Sequence, residues 1–244
     1  MFEAEMARMV MQYCDVCLSL GDCPLPMKGW QPVAPSEEAK KMYGEAAPWS
    51  YRKCRQQVKA EMEKQQAAAM AGKWQERTLD SYKVHAGNKQ AYEVCVEYAK
   101  RLNPFVKDGI LLYGSVGTGK THLAVGILKT AFHRGLTGVL VKVPDLLEEI
   151  RRGYNGEYSP LEGKVRNIFL VILDDLGAEK VTDWVREKLY SIIDHRYENE
   201  KPLIITTNCP PSELTERIGV RTADRLREMC KIVEVQGKSY RAVC

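Results

Sequence analysis

The sequence lacks any uninterrupted apolar run near the length of about eighteen residues that a membrane-spanning helix needs. It also lacks a strong charge imbalance, because 36 lysines and arginines against 32 aspartates and glutamates leave a net charge of +4. Bulk charge therefore neither requires nor excludes a nucleic-acid partner. Glu3, Glu5 and Arg8 interrupt the apolar N-terminal stretch, which argues against a secretory signal. We expect a cytoplasmic protein without a membrane partner, in which stable disulfides are rare.

The 8 cysteines are unevenly distributed. Half of them are scattered without the spacing of metal ligands, whereas the other half lie among prolines near the N-terminus. The N-terminal four are Cys14, Cys17, Cys23 and Cys54. Four thiolates are enough to hold one tetrahedral Zn²⁺, and a module with so small a core needs such a metal to fold. Buried free thiols or redox cysteines are the alternative.

Residues 109–121, GILLYGSVGTGKT, run from a short apolar strand into the pattern Gly-x-x-x-x-Gly-Lys-Thr, and a helical periodicity follows. Backbone N–H groups of such a turn, with the positive end of the helix, cradle nucleotide phosphates. Lys120 would reach the β- and γ-phosphates, and the Thr121 hydroxyl would ligate Mg²⁺. The predicted nucleotide contacts are Gly114, Ser115, Val116, Gly117, Thr118, Gly119, Lys120, Thr121 and His122.

Two further apolar runs end in polar residues. FLVILDDLG ends in two acids, of which Asp174 would hold the Mg²⁺ shell and Asp175 would orient or deprotonate the attacking water. LIITTN places the Asn208 amide at the same edge of a sheet, within reach of a γ-phosphate or the lytic water. An asparagine before two prolines is also an ordinary turn residue.

Beyond residue 105, apolar strands alternate with helices, which indicates a parallel sheet covered on both faces. The predicted strands are 109–113, 138–143, 168–173, 203–207 and 231–235. The predicted helices are 120–134, 144–152, 182–199 and 211–229, the last broken near Gly219. Apolar spacing predicts one more amphipathic helix within Thr78–Asn103. The expected fold is a three-layer α/β parallel-sheet P-loop NTPase domain with a small N-terminal cysteine-rich, zinc-binding module.

The segments LLYGSVGTGKTHLA, VILDDLGAE, IITTN and GVRTADRLRE…GKSYR together resemble the AAA+ ATPases. The similarity is greatest to the bacterial replicative-helicase loaders of the DnaC/DnaI type, which carry an IstB-like ATP-binding domain, and it covers roughly residues 75–244. The resemblance implies that Asn208 is the sensor-1 residue and Arg241 the sensor-2 arginine that touches ATP. It also implies that Arg225 is an arginine finger, with Arg221 as the second candidate.

An arginine finger acts on the ATP site of a neighbouring subunit, so the resemblance implies self-association. Asp175 stands where many AAA+ proteins carry a glutamate. Because a shorter acid positions water less reliably, we expect slow hydrolysis that suits a timed switch. The expected domains are a cysteine-rich helicase-docking module at 1–58, a helical linker at 59–77 and the AAA+ ATPase domain at 78–244.

Residues 144–167 place cations near tyrosines, which is what a groove for single-stranded nucleic acid needs. The candidates are Arg151, Arg152, Tyr154, Tyr158, Lys164 and Arg166. A solvated loop with the tyrosines packed beneath it is the alternative; the resemblance favours single-stranded DNA, and stacking alone does not separate DNA from RNA.

In loaders of the DnaI type a zinc module docks on the helicase. YCDVC…YRKC is similar to that module, with Cys23 filling a missing position.

The resemblance therefore implies a loader that binds the hexameric replicative DNA helicase and single-stranded DNA, and releases both on ATP hydrolysis. Transposition helper ATPases of the IstB type share much of the motif set; they would coat duplex DNA and recruit a transposase, and they generally lack a cysteine module. An ATP-responsive adaptor with negligible turnover is the third possibility.

Overall fold

The computed structural model describes residues 30–33, 35–43, 50–53, 60, 72–153, 159–237 and 239–240. The chain divides into two compact units, Met1–Lys64 and Gln65–Cys244. The predicted zinc ligands Cys14, Cys17, Cys23 and Cys54 lie outside the described residues, as does most of the predicted linker. Within the described part of the chain, no helix combines the length and the apolar character needed to cross a bilayer.

The first unit contains a two-stranded antiparallel sheet. Strand β1 (Trp30–Val33) pairs with strand β2 (Ser50–Lys53), with Trp30 opposite Lys53. Helix α1 (Glu37–Tyr43) connects them in sequence, with acidic residues in its first turn and lysines in its last. Negative charge near the N-terminus and positive charge near the C-terminus interact favourably with the helix dipole, which stabilises a short helix.

The second unit is built on a five-stranded sheet in which every neighbouring pair is parallel. Its strands are β3 (Gly109–Tyr113), β4 (Gly138–Lys142), β5 (Leu170–Leu176), β6 (Leu203–Thr207) and β7 (Cys230–Glu234). Their order in space is β4-β5-β6-β3-β7, so β3 lies inside the sheet between β6 and β7. The helices are α2 (Lys89–Arg101), α3 (Lys120–His133), α4 (Val143–Arg152), α5 (Pro160–Asn167), α6 (Asp183–Glu198), α7 (Pro211–Ile218) and α8 (Val220–Met229).

Successive residues of β3 point to opposite faces of the sheet and join two separate apolar clusters. Ile110 and Leu112 pack in the cluster that includes residues of α2 and α3. Leu111 packs in the cluster formed with α4, α5, α6, α7 and α8. Helices therefore cover both faces of a parallel sheet, and the predicted three-layer α/β architecture is confirmed.

Two helices differ from the prediction. Of the segment Thr78–Asn103, only Lys89–Arg101 is helical, because Asn88 Oδ1 accepts the N–H of His85 at 2.8 Å and stabilises a turn there instead. Residues 160–167 form helix α5, for which no helix was predicted; Ser159 caps its first turn by accepting the N–H of Glu162.

Strand β5 extends beyond its predicted end at residue 173 and contains a bulge. The register pairs Leu173 with Ile205 and Leu176 with Thr207, so β5 has one residue more than β6 over this stretch. Asp174 and Asp175 therefore lie opposite a single residue, and we call these two residues the acidic bulge. Bulges of this kind bend a strand locally and are frequent beside active sites.

Arg196, on α6, has no exposed surface. Its guanidinium donates hydrogen bonds to carbonyl oxygens near the starts of β5 and β6. The closest acceptors are Val165 at 2.7 Å, Ile168 at 3.0 Å, Phe169 at 2.7 Å and Pro202 at 2.6 Å. One side chain thus satisfies several buried carbonyl groups where the chain enters the sheet.

Arg196→Met retains an unbranched side chain but leaves those carbonyl oxygens without a donor. We expect the free energy of unfolding to fall by about 3 kcal/mol or more, because each unsatisfied buried group costs about 1–3 kcal/mol. Urea unfolding measures the change. Arg227→Met, at an exposed ion pair with Asp224, is the control and should cost less than about 1 kcal/mol. Equally small losses in both variants would contradict a structural role for Arg196.

Candidate nucleotide site

The glycine-rich loop between β3 and α3 has a backbone that only glycine adopts easily. Gly117 and Gly119 have φ angles of +82° and +96°. A Cβ at Gly117 would overlap Ser239 Oγ, and one at Gly119 would lie 2.7 Å from Cε2 of Tyr82. Conformation and space therefore both require glycine at these positions, which fits a loop whose N–H groups converge on an anion.

Lys120 begins α3 and is buried. Its Nζ donates to the carbonyl oxygens of Gly114 and Ser115, at 2.7 Å each. Thr118 Oγ1 donates to the same Ser115 carbonyl at 3.0 Å. The ammonium charge is therefore held against the loop, beside the N-terminus of a helix, where a phosphate group would be stabilised.

A cavity of about 480 Å³ opens beside this loop. Its volume is within the range of about 300–1,000 Å³ that is usual for small-molecule sites. The predicted site residues that line it are Val116, Gly117, Gly119, Lys120, Thr121, His122, Asp175 and Asn208. The structure therefore brings together the glycine-rich loop, the second acid of the bulge and the asparagine after β6.

The acidic bulge is tied to β6 by one hydroxyl group. Thr206 Oγ1 donates to Asp174 Oδ1 at 2.7 Å and accepts the N–H of Asp175 at 3.0 Å. Asp174 is 2% exposed, whereas Asp175 lines the cavity with a φ angle of 59°. A positive φ is uncommon for a residue other than glycine, so contacts must hold Asp175 in that conformation.

The two predicted magnesium ligands are placed differently: Thr121 lines the cavity, whereas Asp174 is buried and is not among the lining residues. Thr121 offers a hydroxyl and Asp174 a carboxylate, which are the oxygen donors that Mg²⁺ prefers. Among the described residues there is no cluster of three or more His, Cys, Asp or Glu side chains that could hold a metal. Mg²⁺ is usually bound by one or two protein ligands, with substrate phosphates and water completing its shell.

Residues 74–88 form a wall of the site that sequence reasoning missed. His122 Nε2 lies 2.8 Å from the Thr78 carbonyl and 3.3 Å from Ser81 Oγ, and burial lowers the pKa of His122. Lys129 Nζ donates to the carbonyls of residues 74 and 75 at 2.6 and 2.8 Å. The only local signal was the turn-forming Gly-Asn pair before α2.

A buried hydrogen-bond network holds the glycine-rich loop from two sides. Tyr82 Oη donates to the Thr118 carbonyl at 3.1 Å and accepts from Asn88 Nδ2 at 3.2 Å. Asn88 Nδ2 also lies 3.1 Å from Tyr240 Oη, and the Tyr240 N–H donates to the Gly117 carbonyl at 3.0 Å. The segment before α2 and the segment after β7 thus contact the same loop.

Arg225 lies on α8 and is not among the residues that line the cavity. Its Nε donates to Asp194 Oδ1 at 2.9 Å, and its guanidinium carbon lies 4.2 Å from the ring centre of Tyr197. Arg221 is exposed on the same helix, and Arg241 lies outside the described residues. The structure therefore does not bring Arg225 into the cavity of its own subunit.

Two of the predicted nucleic-acid contacts are engaged within the protein. Arg166 forms an ion pair with Glu162 at 2.9 Å and donates to Ser191 Oγ at 2.6 Å. Arg152 forms an exposed ion pair with Glu148. The Arg166 guanidinium is largely buried, so it is poorly placed to contact a phosphate.

The remaining candidates are differently placed. Arg151 lies over Trp184 with its guanidinium carbon 4.7 Å from the ring centre. Lys164 is half-buried on α5, and Tyr154 and Tyr158 lie outside the described residues. Trp184 was not among the predicted nucleic-acid contacts, because it belongs to α6 and is distant in sequence from the basic segment.

Comparison with known proteins identifies the family of this chain. Residues 52–243 match the family described as IstB-like ATP binding protein. The chain belongs to this family. The IstB-like ATP-binding domain that the motifs predicted is therefore confirmed.

The chain is also similar to individual proteins. A crystal structure of the DnaC helicase loader has a TM-score of 0.64 and 30% identity, covering 68% of this chain and 100% of that one. The replicative helicase loader DnaI of Bacillus subtilis is 24% identical over 212 residues, 82% of this chain and 66% of DnaI. A protein of insertion sequence IS5376 from Geobacillus stearothermophilus is 35% identical over 144 residues, 55% of this chain and 56% of that protein. The chain thus spans between half and two thirds of these last two relatives.

In this IstB-like domain, Tyr82→Phe keeps the ring but removes the hydrogen bond to the Thr118 carbonyl. We expect the affinity for ATP to fall about three- to tenfold, because one such bond contributes about 0.5–1.5 kcal/mol. Titration with a fluorescent ATP analogue measures this affinity. Tyr92→Phe is the matched control, since that ring stacks on Tyr82 with centroids 5.8 Å apart. Equal affinity in the two variants would show that the loop does not need this bond.

Proposed function

We propose that this protein is an ATP-dependent loader that binds the hexameric replicative DNA helicase and single-stranded DNA, and delivers the helicase during DNA replication. The observation that carries the proposal is the cavity in which the glycine-rich loop, Asp175 of the acidic bulge and Asn208 meet. The similarity to DnaC over the whole of a solved loader structure supports the same function.

ATP hydrolysis follows from the groups around the cavity. The loop N–H groups and Lys120 would bind the phosphates, and Thr121 and Asp174 would hold Mg²⁺, which neutralises phosphate charge when bound. Asp175 would orient the attacking water, with Asn208 hydrogen-bonded to that water or to the γ-phosphate. The side chain of Asp175 is one methylene shorter than the glutamate that many AAA+ proteins carry here, so we expect slow turnover suited to a release switch.

Arg225 would complete the site of a neighbouring subunit. Its positive charge would stabilise the negative charge that develops on the transferred phosphoryl group. The ion pair with Asp194 and the contact with Tyr197 would hold the guanidinium in one orientation until a second subunit arrives. Hydrolysis would then depend on assembly, and Arg241 would contact the nucleotide within its own subunit.

The N-terminal region would provide the contact with the helicase. Cys14, Cys17, Cys23 and Cys54 would bind one Zn²⁺ and fold residues 1–58 as a docking module. Residues 59–77 would link this module to the ATPase domain at 78–244.

Single-stranded DNA would follow the surface of α4 and α5. Since Arg166 is engaged with Glu162, we assign the main contacts there to Arg151, Lys164 and the tyrosines Tyr154 and Tyr158. Arg152 would contribute once its exposed pair with Glu148 opens, because such pairs are weak. The Trp184 ring under Arg151 adds an aromatic surface beside this path.

A transposition helper ATPase of the IstB type, which binds duplex DNA and recruits a transposase, is the second candidate. The family match and the 35% identity to a protein of an insertion sequence favour it. The cysteine-rich N-terminal sequence favours the loader, because the helper branch generally lacks such a module.

Light scattering of the protein mixed with the hexameric replicative helicase of its own organism, with ATP and zinc, tests the proposal. We expect one defined complex, lost on deletion of residues 1–73 and on removal of zinc by a chelator. A full-length Lys120→Ala variant separates docking from ATP binding, because its N-terminal residues are unchanged. No complex, together with ATP-dependent filaments on duplex DNA, would establish the helper instead.

A mixing experiment tests Arg225. We expect Arg225→Ala and Lys120→Ala each to hydrolyse ATP at least about a hundredfold more slowly than the unmodified protein, because an arginine finger contributes about 10³–10⁵ to the rate. Mixing the two variants should restore hydrolysis, since the intact cavity of one receives the arginine of the other. Arg227→Ala, on the same helix, is the control and should keep full activity. A mixture that stays inactive, with both variants still assembling, would exclude action in trans.

A further inference from the structure

We propose that Thr206 is the positioning residue of the acidic bulge: its hydroxyl fixes Asp174 and the backbone of Asp175 together in the arrangement that magnesium binding and hydrolysis need. The inference rests on the proposed ATPase activity. It adds a residue to which neither the sequence motifs nor the family similarity gave a role.

The register of the sheet places Thr206 opposite both acids. Between the pairs Leu173–Ile205 and Leu176–Thr207, two residues of β5 lie across from one residue of β6. In a regular parallel pair each acid would have its own neighbour, and the two side chains would alternate between faces. Here the extra residue removes that alternation, so one side chain on β6 can contact both acids.

The chemistry of a hydroxyl matches this position. A threonine hydroxyl donates one hydrogen bond and accepts others. The donated bond goes to Asp174 Oδ1 at 2.7 Å, and the accepted one comes from the N–H of Asp175 at 3.0 Å. Thr206 is 0% exposed, so no surface water is available to replace either bond. Loss of the hydroxyl therefore removes the bond to Asp174 and the bond from Asp175 at once.

Each bond has a separate consequence. The first orients the carboxylate that would ligate Mg²⁺, and hydrogen-bonding partners of metal ligands commonly set both ligand geometry and metal affinity. The second holds Asp175 at a φ angle of 59°, the conformation in which this residue lines the cavity. Without the bond to Thr206, the bulge can relax toward a regular strand, and the Asp175 carboxylate would leave the cavity.

The next residue offers a matched control. Thr207 is also 0% exposed, and its hydroxyl donates to the Leu176 carbonyl at 2.6 Å and accepts the N–H of Cys209 at 3.1 Å. Thr207 is a threonine on the same strand, and its hydroxyl also donates one bond and accepts another. Neither bond involves Asp174 or Asp175. A general effect of losing a buried hydroxyl would appear in both threonines, whereas a positioning effect would appear only in Thr206.

The test compares Thr206→Val, Thr206→Ser and Thr207→Val in the full-length protein. A fluorescent ATP analogue is titrated with EDTA and then with increasing Mg²⁺, and steady-state hydrolysis is measured in parallel. For Thr206→Val we expect unchanged affinity in EDTA, a Mg²⁺ half-saturation raised about tenfold and a kcat lowered about ten- to hundredfold, the usual range for partners of metal ligands. Thr206→Ser should restore both values, and Thr207→Val should leave the Mg²⁺ dependence unchanged.

Normal Mg²⁺ dependence and kcat in Thr206→Val would overturn the inference, and so would equal losses in Thr206→Val and Thr207→Val. Thermal unfolding checks that each variant is folded. If the valine variant does not fold, Thr206→Ala compared with Thr206→Ser gives the same contrast. If the unmodified protein binds the analogue with Mg²⁺ but does not hydrolyse ATP, the proposed ATPase activity fails, while the Mg²⁺ titration still decides the role of Thr206.

Discussion

The burial of β3 on both faces is the constraint on which the rest of the structure depends. Ile110 and Leu112 pack on one side and Leu111 on the other, so two layers of helices are needed to exclude water. Parallel neighbours then bring the carboxyl ends of three strands to one edge. Apolar residues occupy most of each strand, and polar residues such as Asp174 and Thr206 follow towards its carboxyl end, some of them still buried. The chemically active groups therefore meet at that edge as a consequence of how the core is built.

Hydrogen bonds from polar side chains connect the parts of the site to one another. Lys129 fixes the segment before α2 against the phosphate-loop helix, and Asn88 connects Tyr82 with Tyr240. Thr206 connects β6 to Asp174 and Asp175, the two acids of the bulge. Each of these groups is costly to bury unless its partners are present, so the loop and the acids are restricted to few arrangements.

Much of this could be predicted from the sequence, and the exceptions have a common cause. The strands 109–113 and 203–207 were predicted to the residue because each is a short run of apolar and β-branched or aromatic residues bounded by Gly, Pro, Asp or Asn. The segment 78–88 was misassigned because its path depends on contacts with α3, far along the chain. The bulge was missed because an extra residue in β5 changes the register with β6 and leaves no mark on the apolar pattern. Local periodicity predicted local structure, and long-range pairing determined the rest.

The Tyr240 contact with the glycine-rich loop has a consequence for synthesis of the protein. The cavity is lined by Glu76 at one end of the domain and by Tyr240 at the other, with the loop in between. During translation the loop leaves the ribosome well before Tyr240 does. A nascent chain therefore has the glycine-rich motif long before it has the complete binding site. Stabilisation by bound nucleotide, which requires the finished site, can begin only when almost the whole domain has been made.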